Sequence, residues 1–199
     1  MLALDLEQGT AEWFAAKLGT PSASNFDKIV TTKGEPSKQA EKYLWRLAGE
    51  RVSGTSEETY QNGIMQKAIE TEAEAREFYE LTQGVTVKKV GIVYPDNGKK
   101  YACSPDGLVG NDGGLEIKCP IMSTQVGYLL EGKLPTEYFQ QIQGNLFVTG
   151  RKWWDFLSYF PGIKPLLIRV EREEEFIAKL KTALDLFCAE LQTVVKKIS

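Results

Sequence analysis

The spacing of apolar residues predicts helices along the first third of the chain. A short helix from Thr10 and a break at Pro21 precede a second helix, for which Ser22 or Ser24 is a candidate N-cap. After a polar loop, a third helix begins at Ser37, with apolar residues at i, i+3 and i+4 intervals. The N-terminal part is therefore expected to be helical.

A longer helix is predicted over residues 62–81, and its apolar stripe is interrupted by Glu72. The helical period places Glu72 on the buried side, where a carboxylate is costly unless it is paired or bound to a metal. Several neighbouring glutamates are typical of a solvated face. The pattern leaves open whether Glu72 is functional or belongs with them.

Beyond Gly84 the period changes from that of a helix to that of a strand. Short apolar runs separated by Pro-Asp-Asn-Gly and Asn-Asp-Gly-Gly turn signals predict a meander of antiparallel strands. Pro135 suits the first position of a helix, and a final helix starts near residue 173. The predicted strands are 85–94, 99–104, 107–110, 115–119, 153–160 and 166–170, and the helix from Pro135 runs to about residue 149.

Composition narrows the chemistry, because none of the 199 residues is histidine. Histidine-based triads, histidine-ligated zinc and a histidine general base are excluded. The net charge of −3 does not by itself favour a nucleic-acid binder. Cys103, Cys119 and Cys188 are widely spaced and are expected to be small buried residues in a reducing compartment.

No targeting or membrane signal is apparent. The N-terminus is too short and too acidic for a signal peptide, and no apolar run approaches 18 residues. We therefore expect a cytoplasmic protein with no membrane partner.

The candidate chemistry lies in the strand around Glu116 and Lys118. Strand alternation places these two side chains on one face, roughly 6–7 Å apart along the strand, with Leu115 and Ile117 on the other. A hairpin can bring Asp106 beside Glu116. Two carboxylates with a neighbouring lysine suit Mg²⁺, which prefers hard oxygen ligands and keeps several waters.

Roles follow from this arrangement. Asp106 and Glu116 would hold the metal, with the Ile117 carbonyl as a further ligand. Lys118 would orient and help to deprotonate the attacking water, or stabilise charge on the phosphate. The alternative is a surface salt bridge between Glu116 and Lys118 with no catalytic role.

Longer stretches around these residues carry a family resemblance. Residues 103–108 (CSPDGL) and 114–120 (GLEIKCP) resemble the lambda exonuclease-like (YqaJ-type viral recombinase) family of PD-(D/E)xK nucleases. The similarity covers most of the chain in order and at family spacing. It includes Trp13, Leu18-Gly19 and Ala23-Ser24, Glu72 with Ala75-Arg76, Gln141-Ile142-Gln143, and Val148-Thr149 with Arg151-Lys152.

The resemblance implies a fold of the α/β (α+β) class, a restriction-endonuclease-like core with a mixed central β-sheet flanked by helices. Residues 1–199 would form a single nuclease domain. Its catalytic core would span about 62–170, the N-terminal helical part would contribute to a pocket for the DNA end, and residues 173–198 would form a C-terminal helix.

The resemblance also implies an activity. It is Mg²⁺-dependent 5′-to-3′ exonuclease action on one strand of duplex DNA, leaving 3′ overhangs for single-strand-annealing recombination. Two Mg²⁺ ions, with Mn²⁺ able to substitute, a homotrimeric ring and a single-strand annealing partner belong to this expectation. The setting would be a phage or prophage protein in the cytoplasm of a bacterial host.

Carried over by position, the family pattern assigns residues to the site. Asp106, Glu116 and Lys118 would be catalytic, and Glu72 would lie near a second metal. The positions for the 5′-terminal phosphate and DNA are Lys17, Ser24, Ser104 and Gln141.

Two positions depart from the family pattern. Lys17 stands where the family often has arginine, which predicts a weaker 5′-phosphate preference because lysine lacks the bidentate fork. Ala68 replaces a common glycine.

Basic and aromatic residues outside these motifs are further candidates for DNA contacts. Lys33, Lys38, Arg151 and Lys152 are candidates for contacts with the DNA backbone. The aromatic run at residues 153–156 is compatible with a base-stacking platform or with a half-buried strand.

Two other functions remain open at this point. One is an endonuclease or single-strand nuclease of the same superfamily, although the iron–sulfur branch is excluded because it needs four clustered cysteines. The other is a non-catalytic protein that binds DNA ends as a recombination scaffold, for which an intact Asp-Glu-Lys set would be unnecessary.

Overall fold

The computed structural model describes residues 1–56 and 64–199, and the side chains of all of these except residues 64–69. Runs of helices and runs of strands follow one another along the chain. The strands are β1 (Leu2–Leu4), β2 (Val87–Lys88), β3 (Ile92–Tyr94), β4 (Gly107–Val109), β5 (Gly113–Lys118), β6 (Trp153–Ser158) and β7 (Leu166–Glu171). The helices are α1 (Ala11–Lys17), α2 (Ala40–Ser53), α3 (Ile64–Gln83), α4 (Met122–Glu131), α5 (Phe139–Thr149) and α6 (Glu174–Ile198), with 3-10 helices at Ala23–Lys28 and Thr136–Tyr138.

Five strands form the central sheet in the order β2-β4-β5-β6-β7. All neighbours are antiparallel except β5 and β6, which run parallel with Gly113 opposite Trp153. The expected mixed sheet flanked by helices is confirmed. The meander predicted over residues 85–119 is antiparallel at β2–β4 and β4–β5, but it is wrong for β3, which pairs with β1 instead. The parallel pairing of β5 with β6 needs a long crossover, which α4 and α5 supply.

The two faces of this sheet are covered by different helices. Buried residues of α2, α5 and α6 pack with Trp154 and Phe156 on one face. On the other face, Ala75 and Tyr79 of α3 pack with Leu115 and its neighbours. Since Glu116 is paired in register with Phe156, its side chain lies on the α5 face. Side chains on the two faces of β5 therefore lie in different surroundings.

A second, two-stranded sheet joins the N-terminus to β3. The strand predicted over residues 85–94 is split, and Gly91 lies in the break, where a Cβ would stand 2.2 Å from the Leu6 carbonyl oxygen. The predicted strand at 99–104 is wrong. Only isolated bridges form there, from Ala102 to Ser22 and from Cys103 to Val93.

Helix starts follow the predictions closely. Thr10 is the N-cap of α1 and accepts a hydrogen bond from the Trp13 backbone N–H at 3.4 Å. Ser22 occupies the N-cap of a 3-10 helix without a side-chain capping bond. Pro135 stands before a 3-10 turn and not at the first position of α5. These differences are local and leave the order of elements unchanged.

Helix α4 was not predicted, because its pattern is inverted. Met122, Val126 and Leu130 are exposed, while Gln125 is completely buried. The Gln125 amide donates to the backbone carbonyls of Ser158 and Lys164, so a polar side chain anchors the helix. Within the described residues, no helix is both long enough and apolar enough to cross a membrane.

Candidate active site

Strand β5 presents Glu116 and Lys118 side by side. The Lys118 Nζ lies 2.7 Å from Glu116 Oε1, and Glu116 is only 2% exposed. The predicted alternation is therefore confirmed for these two residues, and their ion pair is partly buried, because the Lys118 side chain is 27% exposed. Cys119 lies beyond the end of β5 and is exposed, so its predicted burial is wrong; Cys103 and Cys188 are buried as predicted.

Asp106 stands immediately before β4, across the hairpin from β5. Its Oδ2 accepts the backbone N–H of Ile117 at 2.6 Å, because β4 pairs with β5 with Gly107 opposite Leu115. This hydrogen bond fixes the carboxylate beside Glu116, as the hairpin argument predicted.

Helix α5 covers the other side of Glu116. Gln141 donates to Glu116 Oε1 at 2.5 Å, and Asn145 donates to Glu116 Oε2 at 3.0 Å. Gln141 was expected to bind the 5′-phosphate, whereas its amide here holds the carboxylate. Asn145 was missed, although its i+4 spacing from Gln141 puts both amides on one helix face.

Glu72 lies on α3, and its side chain remains 40% exposed instead of fully buried. Its Oε1 forms an ion pair with Arg76 Nη2 at 2.5 Å. Both residues line a cleft of about 430 Å³, together with Asp106 and Lys89. The helix carboxylate therefore shares a cleft with Asp106, although it is less buried than the pattern predicted.

Negative charge predominates in this region. Burial, followed by the charges of Glu116 and Glu72, raises the pKa of Asp106 well above its usual range, against the opposing effect of Lys118. Burial disfavours the Lys118 ammonium, but the charges of Glu116 and Asp106 outweigh it and raise the pKa of Lys118. A bound cation would relieve the repulsion among the carboxylates.

The donors fit a hard divalent cation. Among the described residues, no three carboxylate, cysteine or histidine side chains converge into a closed metal cage. Mg²⁺ does not require one, since it is usually held by one or two carboxylates together with waters and substrate phosphates. Asp106 and Glu116 supply such a pair, and the Ile117 backbone N–H holds the Asp106 carboxylate in place.

The remaining residues assigned to phosphate lie in two places. Ser104 is two residues before Asp106, and its buried Oγ has no hydrogen-bond partner within the described chain. Lys17 ends α1, with its Nζ 4.7 Å from the centroid of the Trp13 ring, and Ser24 is exposed on the first 3-10 helix. Of the residues assigned to phosphate, Lys17 and Ser24 therefore belong to the N-terminal helical part.

Other candidate DNA contacts have structural explanations. Arg151 Nη1 donates to the carbonyls of Val109, Gly110 and Gly113, so it closes the β4–β5 hairpin. Lys152 is exposed and pairs with Asp112 at 3.1 Å.

The aromatic run of β6 does not form a stacking platform. Trp154 and Phe156 are completely buried in the core, and Trp153 stacks under the Arg169 guanidinium at 3.7 Å. The run is a strand, as the alternative interpretation predicted, but it is buried on both faces and not half-buried. Lys33 and Lys38 are exposed, in keeping with their candidate role.

The fold is that of the alkaline exonucleases. LHK-Exo, an alkaline exonuclease from Laribacter hongkongensis, is 34% identical to this chain, covering 95% of it and 96% of the relative, with a TM-score of 0.84. Its complex with dAMP superposes with a TM-score of 0.85 at the same identity and coverage. A phage-related exonuclease from Haemophilus somnus 129PT, at 16% identity, shares the fold, with a TM-score of 0.73 over 90% of this chain and 96% of that one.

Sequence comparison identifies the family to which the chain belongs. The family model of the YqaJ-like viral recombinase domain matches residues 12–152. The chain belongs to this family. A search of curated proteins gave no significant match.

Proposed function

We propose that this protein is a Mg²⁺-dependent exonuclease of PD-(D/E)xK type that degrades one strand of duplex DNA from its end in the 5′-to-3′ direction. The product would be a 3′ overhang for single-strand-annealing recombination. Family membership and the similarity to alkaline exonucleases support nuclease action. The observation that carries the proposal is the cluster of Asp106, Glu116 and Lys118, in which Glu116 is buried and negative charge is in excess.

In this proposal Asp106, Glu116 and the Ile117 carbonyl hold one Mg²⁺, and Glu72 lies beside a second; Mn²⁺ would serve in place of Mg²⁺. The metal supplies an activated water and neutralises charge on the scissile phosphate. Gln141 and Asn145 keep Glu116 fixed through both of its oxygens. Lys118, held by Glu116, orients the attacking water or donates to a phosphate oxygen as negative charge develops.

The 5′-terminal phosphate is proposed to bind Lys17, Ser24, Ser104 and Gln141. The buried Ser104 hydroxyl supports this, because it has no hydrogen-bond partner among the residues that the structure describes and buried polar groups normally have one. A phosphate oxygen would satisfy it. Since Gln141 also binds Glu116, it would link recognition of the end to the metal ligand.

The wider setting is part of the same proposal. We place residues 1–199 in one nuclease domain with a core of about 62–170, acting in the cytoplasm of a bacterial host as a phage or prophage protein. A homotrimeric ring around the duplex and a single-strand annealing protein would complete the recombination machinery.

The proposal is tested with linear and covalently closed duplexes labelled at either the 5′ or the 3′ end. We expect linear DNA to lose its 5′ label first and closed circles to remain intact. Cutting of circles would identify an endonuclease, and preference for unpaired DNA a single-strand nuclease. Binding of ends without degradation would identify a scaffold.

A matched pair of variants locates the site. Asp106→Asn should abolish degradation, whereas Asp112→Asn, the same change at an exposed hairpin residue, should not. Equal activity in both variants would show that the proposed site is wrong.

Metal binding is measured separately from activity. Mg²⁺ at ten times its Kd should stabilise the folded protein by about 1.4 kcal/mol and raise Tm by about 4 °C. Asp106→Asn should reduce this shift. An unchanged shift in that variant would remove Asp106 from the metal site.

A further inference from the structure

A basic surface lies on the N-terminal helical part, outside the cleft that contains Glu72 and Asp106. It surrounds a cleft of about 510 Å³ beside α2. Every charged residue that the structure describes in its lining is cationic, although the chain as a whole has a net charge of −3. The lining residues, which we call the α2 cleft, are Lys28, Gln39, Lys42, Tyr43, Trp45 and Arg46.

The floor of the α2 cleft is held firmly. Tyr43 is 4% exposed, and its ring stacks on Phe187 with centroids 5.7 Å apart. The Lys28 Nζ lies 5.5 Å and the Arg46 Cζ 5.1 Å from the centroid of the Tyr43 ring. Cation–π attraction to one buried ring therefore helps to fix two of the three positive charges, together with a hydrogen bond from Lys28 to Asn25 at 2.5 Å and an ion pair of Arg46 with Glu50 at 3.8 Å.

Trp45 distinguishes this cleft from an ordinary basic surface. Its side chain is 58% exposed, whereas Trp13 and Trp154 are buried and Trp153 stacks on Arg169. An exposed indole beside several cations suits a polyanion that also carries flat rings. Nucleic acid has both properties, and an acidic peptide has only the first.

The cleft favours an unpaired strand over a duplex. In duplex DNA the faces of the bases are covered by their neighbours, so an indole on the protein surface has no base to stack on. The position also fits, because Tyr43 and Arg46 line a small adjoining cavity with Lys17, which is proposed to hold the 5′ end. An unpaired segment near that end can reach both places.

We propose that the α2 cleft binds a single-stranded segment of DNA, with phosphates at Lys28, Lys42 and Arg46 and a base stacked on Trp45. The proposal rests on DNA being the substrate, as proposed above. It adds a binding surface that is separate from the carboxylates and that needs no metal.

The first test is tryptophan fluorescence of the full chain in EDTA, titrated with a single-stranded oligonucleotide. We expect quenching in the wild type, because Trp45 is exposed and stacks on a base. Trp45→Phe should lose most of the quenching, because the reporting indole is removed, and Trp45→Ala should also weaken binding about tenfold. Trp153→Phe serves as the control and should retain both.

The second test is the salt dependence of binding. Lys42→Gln should lower the slope of log K against log salt by about 0.7, the value for one phosphate contact on a single strand. Lys164→Gln changes an exposed lysine outside the cleft lining and should leave the slope unchanged.

Three results would overturn the proposal: quenching retained in Trp45→Phe, equal quenching by blunt duplex, or equal quenching by polyglutamate. Because EDTA prevents metal-dependent cleavage, the binding test is separate from the nuclease test. Quenching without nuclease activity would reject the proposed enzyme and keep the cleft. Nuclease activity without quenching would reject binding at the α2 cleft and keep the proposed enzyme.

Discussion

Two buried carboxylates lie on neighbouring strands of the same sheet but on opposite faces. Asp155 of β6 is paired in register with Leu115, so it faces α3, whereas Glu116 of β5 faces α5. Asp155 accepts hydrogen bonds from Tyr79 Oη at 2.7 Å and from Arg169 Nε and Nη2, both at 2.8 Å. Glu116 is equally buried and equally well hydrogen-bonded, by Lys118, Gln141 and Asn145.

The surroundings of Asp155 and Glu116 differ in their balance of positive and negative charge. Asp155 is one carboxylate opposite one guanidinium, so its cluster is neutral and closed. Beside Glu116 and Lys118, the described lining of the cleft that contains Asp106 has four carboxylates, Asp5, Glu7, Glu72 and Asp106, against two cations, Arg76 and Lys89. Burial of a carboxylate therefore does not identify a reactive site. An uncompensated negative charge beside a cleft does.

The sharpest test neutralises one carboxylate of the acidic cluster. Glu116→Gln should lower nuclease activity by about 100-fold or more, because a metal ligand and the partner of Lys118 are lost. The free energy of unfolding without metal should not fall, since Asn145 can turn its amide oxygen towards the new side chain. Urea denaturation in EDTA and rates on linear duplex measure the two effects; a large loss of stability would contradict the comparison.

The matching change on the other face should act in the opposite way. Asp155→Asn should cost about 2 kcal/mol of unfolding free energy, because the charge-assisted bonds to Arg169 weaken. Activity of the remaining folded protein should stay within a few-fold of wild type. Urea denaturation compared with rates per folded molecule provides the check, and a catalytic loss as large as that of Glu116→Gln would erase the distinction.

A smaller effect is expected where α5 supports Glu116. Asn145→Leu removes the donor to Glu116 Oε2 and should raise the Mg²⁺ concentration for half-maximal rate about tenfold. Thr149→Ala lies one turn further along α5, where the Thr149 hydroxyl donates to the Asn145 carbonyl and accepts from the Arg151 backbone N–H, so its metal requirement should not change. If the two variants behave alike, Asn145 has a purely structural role.

The smallest effect belongs to an exposed pair. Lys152→Ala breaks the ion pair with Asp112 and should change stability by about 0.5 kcal/mol or less, because both groups are solvated. Thermal melts at low and high salt measure it. A shift of several degrees would show that exposed charges matter more in this fold than burial indicates.

The sequence alone predicted the placement of site residues where strand alternation and side-chain chemistry indicate the same arrangement. Alternation along β5 predicted the shared face of Glu116 and Lys118, and the turn between β4 and β5 predicted the approach of Asp106. These relations involve only neighbours along one strand or across one hairpin. Such contacts follow from backbone geometry alone.

The sequence was insufficient where long-range packing decides. Helix α4 buries a glutamine and exposes its apolar residues, so its pattern gives no sign of its orientation. The three carbonyls that bind Arg151 meet only after the β4–β5 hairpin has closed. Helical spacing could have paired Asn145 with Gln141, but nothing in the sequence shows that Glu116 lies opposite both.

The parallel pairing of β5 with β6 bears on when the protein becomes active during its synthesis. Gly113 meets Trp153, forty positions later, so the strand that carries Glu116 gains this neighbour only after α4 and α5 have been made. Non-local pairings of this kind form late, after the intervening chain has been ordered. A nascent chain that stops short of residue 158 lacks the complete β6 and also lacks β7, so the site can be complete only after these strands have been synthesised.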